Sequence, residues 1–262
     1  MSVATHGSRQ KQALEGTSRK LPGLSFFFPA HNEEANVLRV ISDALQALPE
    51  VADDFEIICV DDGSSDNTAD IVRMAARANT KIRLVSHKCN QGYGAALQSG
   101  FQAARHPWIF FTDGDGQFSL EELREFAALA TSWDTGVIGY RIRRQDPWYR
   151  KLNAACYKVL VRVLLGVKAR DIDCAYKLLP THQVKSLKLT STGALISAEL
   201  LMRLQESGLV FTELGVRHYP RQAGVQSGAS PIVVLRMFVE LGKLMLQMRR
   251  EKARLTGSRE AV

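Results

Sequence analysis

The chain has 262 residues, 45% of them apolar, and a formal net charge of +7. That length carries a full hydrophobic core, as one large α/β domain or as a domain with an appendage. The composition argues against three classes: no run of 18 apolar residues marks a transmembrane helix, the first 20 residues lack the apolar core of a secretory signal, and Cys59, Cys89, Cys156 and Cys174 show neither CxxC nor His-paired zinc spacing. Four scattered cysteines fit a reducing cytosol. The charge is uneven. Residues 1–23 carry +3, residues 243–262 carry +4, and the basic stretch 141–170 holds nine Lys/Arg against one Asp. Such ends and such a stretch suit an anionic lipid surface. No nucleic-acid module is visible, and the basic residues alternate with apolar ones at helical spacing, so nucleic acid is not the expected partner.

In chain order, Leu24–Pro29 reads as a strand and Glu33–Leu48 as an amphipathic helix. Strand Phe55–Val60 and helix Asp66–Ala78 follow, then strand Ile82–Ser86 and helix Gly94–Arg105, strand Pro107–Thr112 and helix Leu120–Thr131, and a short strand Gly136–Gly139. Repeated strand–helix units imply a parallel sheet wrapped on both faces, with its ligand site outside the carboxyl ends of the strands. After Tyr140 the pattern changes. Pro147–Gly166 reads as a helix with Lys151, Lys158 and Arg162 on one stripe, Cys174–Leu179 as a strand, Ile196–Ser207 as a helix and Val210–His218 as a strand. Pro231–Leu255 is a long amphipathic helix with Arg236, Glu240, Lys243 and Gln247 on one stripe, suited to a lipid interface or to packing on the protein body or a partner subunit. The expected organisation is a disordered basic tail (1–22), one α/β domain (23–229), and an amphipathic helix with a basic tail (230–262).

Four loops at the expected carboxyl ends concentrate the polar residues. Asp113-Gly114-Asp115-Gly116-Gln117 follows a buried apolar strand. Carboxylates at i and i+2 leave a strand on one side. Two like charges held that close need a cation or a shared proton. Asp113, Asp115 and Gln117 offer only oxygen, which suits Mg²⁺ or Mn²⁺ sharing its shell with substrate phosphates, and the glycines leave room for a ligand to reach the backbone. An acidic turn is the plainer alternative. In Asp61-Asp62-Gly63-Ser64-Ser65-Asp66, Ser65 or Asp66 caps the next helix, and a preceding carboxylate can accept from a base N–H or a ribose hydroxyl. In Pro29-Ala30-His31-Asn32-Glu33-Glu34, Asn32 is the expected helix cap. Asn90-Gln91-Gly92-Tyr93-Gly94 opens a helix where an anion is welcome, without a full GxGxxG or P-loop.

As an ordered set, PAHNEE, VDDGSSDNT, NQGYGAA, DGDGQF, GYRIRRQD, DIDCAYKL, the Glu of ISAELL and PRQAGVQSGAS resemble glycosyltransferase family 2. Within it they are similar to the polyprenyl-phosphate glycosyltransferases, a group that includes dolichol-phosphate mannose synthase. The resemblance runs from about Leu24 to Leu246. It implies the glycosyltransferase A fold, a Rossmann-like α/β architecture with a mostly parallel sheet and helices on both faces. It also implies an inverting enzyme that moves a hexose from a nucleotide diphosphate sugar, of GDP-mannose or UDP-glucose type, to a dolichyl or undecaprenyl phosphate, with Mg²⁺ or Mn²⁺.

Carried over by position, the resemblance makes Pro29, Ala30, Asn32, Glu33, Asp61, Asp62, Gly94, Asp113 and Gly114 nucleotide-sugar positions. It makes Asp113, Asp115 and Gln117 the metal and diphosphate site. Arg141, Arg143 and Arg144 would hold the lipid phosphate, with Arg221 and Ser227 as C-terminal phosphate contacts. Catalysis would fall to Asp113, Asp115, Arg141 and Arg144. Asp171 and Glu199 match acidic positions of structural or acceptor-side role. Two departures stand out: Ala175 after Cys174 where the family usually has Gly, and His31 where Tyr is frequent. The implied setting is cytoplasmic, peripheral to the cytoplasmic face of a membrane, with a small membrane subunit as a possible partner. The rival readings are a family 2 transferase with a soluble hydroxyl acceptor and a non-catalytic nucleotide-sugar-binding subunit.

Overall fold

The computed structural model describes residues 20–142, 159, 161–221, 237 and 239–249. Strands β1 (Leu24–Ala30), β2 (Phe55–Asp61), β3 (Ile82–Ser86) and β4 (Trp108–Phe111) alternate with helices α1 (Val37–Val51), α2 (Thr68–Ala78) and α3 (Tyr93–Ala103). A 3₁₀ turn (Leu120–Glu122), α4 (Leu123–Leu129) and β5 (Thr135–Arg141) follow. Beyond them come β6 (Lys177–Pro180), α5 (Thr181–Ser186), α6 (Ile196–Glu206) and β7 (Val210–Val216). The described residues form a seven-stranded sheet in the order β3-β2-β1-β4-β6-β5-β7.

The expected parallel sheet is present, with one strand reversed. β1 pairs in parallel with β2 and β4, β2 with β3, and β5 with β7. β6 lies antiparallel between β4 and β5, with Lys177 opposite both Phe111 and Ile138. Its short apolar run looks the same in either direction, so periodicity carries no sign of the reversal.

Both faces of the central strands are buried, which is why they read as unbroken apolar runs. Phe26 and Phe28 join Val40, Ile41, Leu48, Phe110, Phe126 and Tyr176 on one face. Phe27, between them, joins Leu97, Phe101, Phe111 and Leu200 on the other. Gly100 is the closest fit there: a Cβ at that position would lie 2.3 Å from two Phe27 ring carbons. Gly100→Ala should therefore destabilise by about 1–3 kcal/mol, despite alanine's better helix propensity. A denaturation midpoint equal to or above wild type would disprove that fit.

Helix boundaries shift where loops take over. α1 begins at Val37, not Glu33, because Asn36 and Val37 N–H groups first bond the Glu33 carbonyl in a turn. Leu120–Thr131 divides into the 3₁₀ turn, whose Glu121 N–H bonds Ser119 Oγ, and α4. Of the expected 147–166 helix, residues 159 and 161–165 are helical and Gly166, at φ 67°, follows; Lys151 and Lys158 lie outside the described residues. In the C-terminal helix, 237 and 239–249 are helical. Leu241 and Leu244 are buried in the α3/α6 side of the core, so this helix packs on the protein body, while Val239 and Leu246 stay exposed. Arg236 lies outside the described residues.

Candidate active site

The order of the sheet reverses direction between β1 and β4, and the acidic loop leaves β4 at that point. An open α/β sheet has its natural crevice there. Asp113 Oδ1 accepts a 3.0 Å hydrogen bond from the Tyr93 hydroxyl, supplied by the first residue of α3. Asp115 Oδ1 accepts from the Gln117 N–H at 3.1 Å, and its Oδ2 lies 3.8 Å from Arg221 Nη1. Burial and the neighbouring Asp115 push the Asp113 carboxyl up to about 7. Asp115 is raised as well, mainly by burial. Burial beside Asp113 pushes the Tyr93 phenol far above its usual range.

Two partly buried carboxylates side by side are held poorly by the protein alone and well by a hard divalent cation. Among the described residues no group of three His, Cys, Asp or Glu is placed to hold a metal. The oxygen donors of Asp113 and Asp115 are of the kind that Mg²⁺ or Mn²⁺ would take. The sign of the pH effect follows. Asp113's folded-state pKa is raised, so its contribution to stability is complete below about pH 4 and is lost as pH rises through about 7. The cation needs the ionised form. The increase in melting temperature produced by Mn²⁺ should accordingly be larger at pH 8 than at pH 5.5; a shift independent of pH would contradict the raised carboxyls.

Four expected site residues also make contacts within the fold. The Gln117 side-chain amide donates to the Tyr219 carbonyl at 2.8 Å, and Tyr219 N–H bonds the Gln117 carbonyl at 2.8 Å. With the Phe118–His218 bridge, this fastens residues 218–221 to the acidic loop through the Gln117 amide N–H. At Gly114 a Cβ would lie 2.4 Å from the Pro29 carbonyl oxygen, so the glycine lets the acidic loop pack against β1. The space beside Gly116 is similarly filled by the Arg39 guanidinium. Asp62 is buried, and its carboxylate accepts from Gln91 N–H (2.8 Å), Gly92 N–H (2.9 Å) and His87 Nδ1 (2.7 Å). The chain's own Asp62 is therefore the anion beside the start of α3. Gly94 and Ala95 N–H groups both bond the Thr192 carbonyl, and a Gly94 Cβ would strike the 191–193 backbone. Gly94 thus serves close packing.

The other nucleotide-side residues line the ends of β1 and β2. Ala30 carbonyl accepts from Asp62 N–H at 2.8 Å, and Asp61 Oδ1 accepts from Ser64 N–H at 3.1 Å. Asn32 has a left-handed φ of 56° and caps no helix; its Oδ1 accepts from Ser65 N–H at 2.8 Å, joining the two loops. Asp66 does accept from Thr68 N–H at 3.0 Å at the start of α2. His31 Nδ1 donates to the Asp62 carbonyl at 2.9 Å. Glu33 pairs with Arg221, which places a residue from beyond β7 at the β1 loop.

On the opposite side, Arg141 ends β5 with Nε and Nη2 on the two oxygens of Asp171, at 2.7 and 2.8 Å. Arg143, Arg144 and Ser227 lie outside the described residues. Lys177, fully buried in β6, bonds the Ile172 and Cys174 carbonyls, and its charge acts on Asp113. Burial lowers its pKa. Sequence reasoning missed Tyr93 and Lys177. A lysine inside the apolar strand Lys177–Pro180 is a readable signal; the reach of Tyr93 to a residue 20 positions on is not.

A family model described as glycosyl transferase family 2 matches residues 25–186. The undecaprenyl-phosphate 4-deoxy-4-formamido-L-arabinose transferase of Aeromonas hydrophila subsp. hydrophila is 29% identical over 176 residues, covering 66% of this chain and 53% of that protein. The dodecaprenyl-phosphate galacturonate synthase of Rhizobium johnstonii is 28% identical over 244 residues, covering 91% and 71%. The chain spans about half the length of the first of these relatives. Among solved structures, glucosyl-3-phosphoglycerate synthase from Mycobacterium tuberculosis, in complex with Mn²⁺, UDP-glucose and phosphoglyceric acid, superposes with a TM-score of 0.60 at 20% identity, covering 92% of this chain and 86% of that one. That likeness shows a shared glycosyltransferase A-like fold.

Proposed function

This chain belongs to glycosyl transferase family 2, and on that premise we propose that it transfers a hexose, with inversion, from a nucleotide diphosphate sugar to a polyprenyl phosphate in a reaction dependent on Mg²⁺ or Mn²⁺. The observation that carries the reading is the Asp113–Asp115 pair, largely enclosed at the switch point of the sheet with cationic side chains close by. The names of the relatives from Aeromonas and Rhizobium, both polyprenyl-phosphate enzymes, support the acceptor class. The Mn²⁺ and UDP-glucose bound in the mycobacterial structure support the donor and metal classes.

Asp113 and Asp115 would hold the cation. When bound, it supplies charge neutralisation for the departing diphosphate. The β1 and β2 loops, through Asp61, Asn32 and Glu33, form the nucleotide side of the crevice. An acceptor phosphate oxygen forms the new bond to the anomeric carbon; the bond from that carbon to the diphosphate oxygen breaks, and its electron pair leaves with the nucleoside diphosphate. Arg141, Arg143, Arg144, Arg221 and Ser227 remain the assigned phosphate contacts, since planar guanidinium forks suit phosphate. Arg141 is held in place for this by Asp171.

A phosphate acceptor is already ionised near neutral pH and needs no general base. Of the described carboxylates near the pair, Asp173 is exposed and its charge acts on Tyr93, while others are engaged or enclosed. Asp171 is engaged by Arg141, Glu33 by Arg221, and Glu199 is fully buried. The proposed setting is the cytoplasmic face of a membrane, held peripherally or by a small membrane subunit. Among the described residues no helix is long and apolar enough to cross a bilayer.

The test is transfer from a panel of radiolabelled nucleotide sugars to undecaprenyl or dolichyl phosphate, with Mg²⁺, Mn²⁺ or chelator. Metal-dependent label in the lipid fraction is expected and identifies the donor. Transfer only to water-soluble hydroxyl acceptors would overturn the lipid reading.

A further inference from the structure

Tyr93 makes a contact that the packing of α3 does not need. A phenylalanine would fill the same volume, so the hydroxyl has its own function, and its partner is Asp113 Oδ1 at 3.0 Å. The residues on either side of Tyr93 are fixed from two directions. Gly92, at φ 100°, donates its N–H to the Asp62 carboxylate, which His87 also engages. Gly94 donates to the Thr192 carbonyl, in a loop whose Thr190 and Ser191 N–H groups are held by the fully buried Glu199. The phenol is therefore mounted on a rigid base with its donor aimed at one oxygen of one carboxylate.

We infer that Tyr93 is a positioning residue for the divalent cation: its hydroxyl bonds Asp113 Oδ1 and locks the carboxylate's orientation, so that Asp113 would be a preset ligand beside Asp115. This rests on the metal-dependent reading above. Partners that orient a ligating carboxylate typically change metal affinity by about 10–100-fold when removed. The phenol also makes the acidic loop depend on the nucleotide-side loops, because the hold on Gly92 comes from Asp62 at the end of β2.

The experiment is a Mn²⁺ titration of the full chain, without nucleotide, reading free Mn²⁺ by electron paramagnetic resonance, followed by Mg²⁺ competition. Wild type is compared with Tyr93→Phe, Asp115→Asn and Leu97→Ala; Leu97 is a buried apolar residue of the same helix. The expected result is strong loss for Asp115→Asn, about 10–100-fold weaker Mn²⁺ binding for Tyr93→Phe, and affinity within about twofold of wild type for Leu97→Ala. Circular dichroism of Tyr93→Phe should match wild type. Unchanged Mn²⁺ affinity in Tyr93→Phe, with Asp115→Asn impaired, overturns the positioning role and leaves the metal reading standing. Equal losses in Tyr93→Phe and Leu97→Ala overturn it too, by making the effect one of general loosening. Absence of Mn²⁺ binding by wild type overturns both.

Discussion

Asp115→Ala should lower metal-dependent sugar transfer at least about a hundredfold, the scale on which loss of one preorganised electrostatic contact to developing charge is felt. The reason is specific to the crevice. Asp113 is already committed through one oxygen to Tyr93, and Gln117 is turned to the Tyr219 carbonyl. On the proposed reading Asp113 and Asp115 supply the two carboxylates for the cation, and removing Asp115 leaves one. The same change takes from Arg221 one of the two acids it faces, leaving Glu33. The effect should appear in kcat, with a lost response to Mn²⁺, because the charge that the site must neutralise develops as the diphosphate departs. Wild-type turnover in Asp115→Ala, still abolished by chelator, would remove Asp115 from the metal site.

Glu199→Ala should be the most destabilising of the substitutions considered, by about 3–5 kcal/mol. Glu199 is fully buried on α6, and its carboxylate accepts from Thr190 N–H and Oγ1, from Ser191 N–H at 2.7 Å and from Arg203 Nε at 3.1 Å. Alanine would strip two backbone donors of their acceptor and leave the Arg203 charge, itself largely buried, without this partner. For a domain of this size the melting temperature should fall on the order of 10 °C. Glu199→Gln, which keeps one acceptor oxygen, should fall between. A loss below about 1 kcal/mol for the alanine variant would mean that the 190–193 loop has another anchor.

The strand–helix alternation through β5 was legible because each central strand is buried on both faces and each helix on one. The acidic loop was legible because its two carboxylates directly follow the apolar run Trp108–Phe111 and stand in order with the other polar loops. The destinations of individual polar groups were not. Asp62 looks like a ligand residue in sequence, and only the fold brings Gln91 and Gly92 N–H groups to it from 29 and 30 positions away. Gly94 and Gly114 look like room for a ligand, and only the fold shows a neighbouring carbonyl in that room. The reversed β6 was hidden for the same reason: strand direction is decided by what lies on either side, and β4 and β5 are distant in sequence from Lys177. Arg221 and Tyr219 reach the acidic loop from 102 to 106 positions beyond it, a distance that no local pattern encodes.

The family match ends at residue 186, yet the crevice does not. The Thr192 carbonyl that seats α3, the Glu199 that steadies it, the edge strand β7 and the Arg221 side chain all come later in the chain. The matched segment contains both carboxylates and Tyr93, while Thr192, Glu199 and Arg221 lie beyond it. If the proposed cation site is right, a substitution after residue 186 could change the metal response with every acidic-loop residue unchanged.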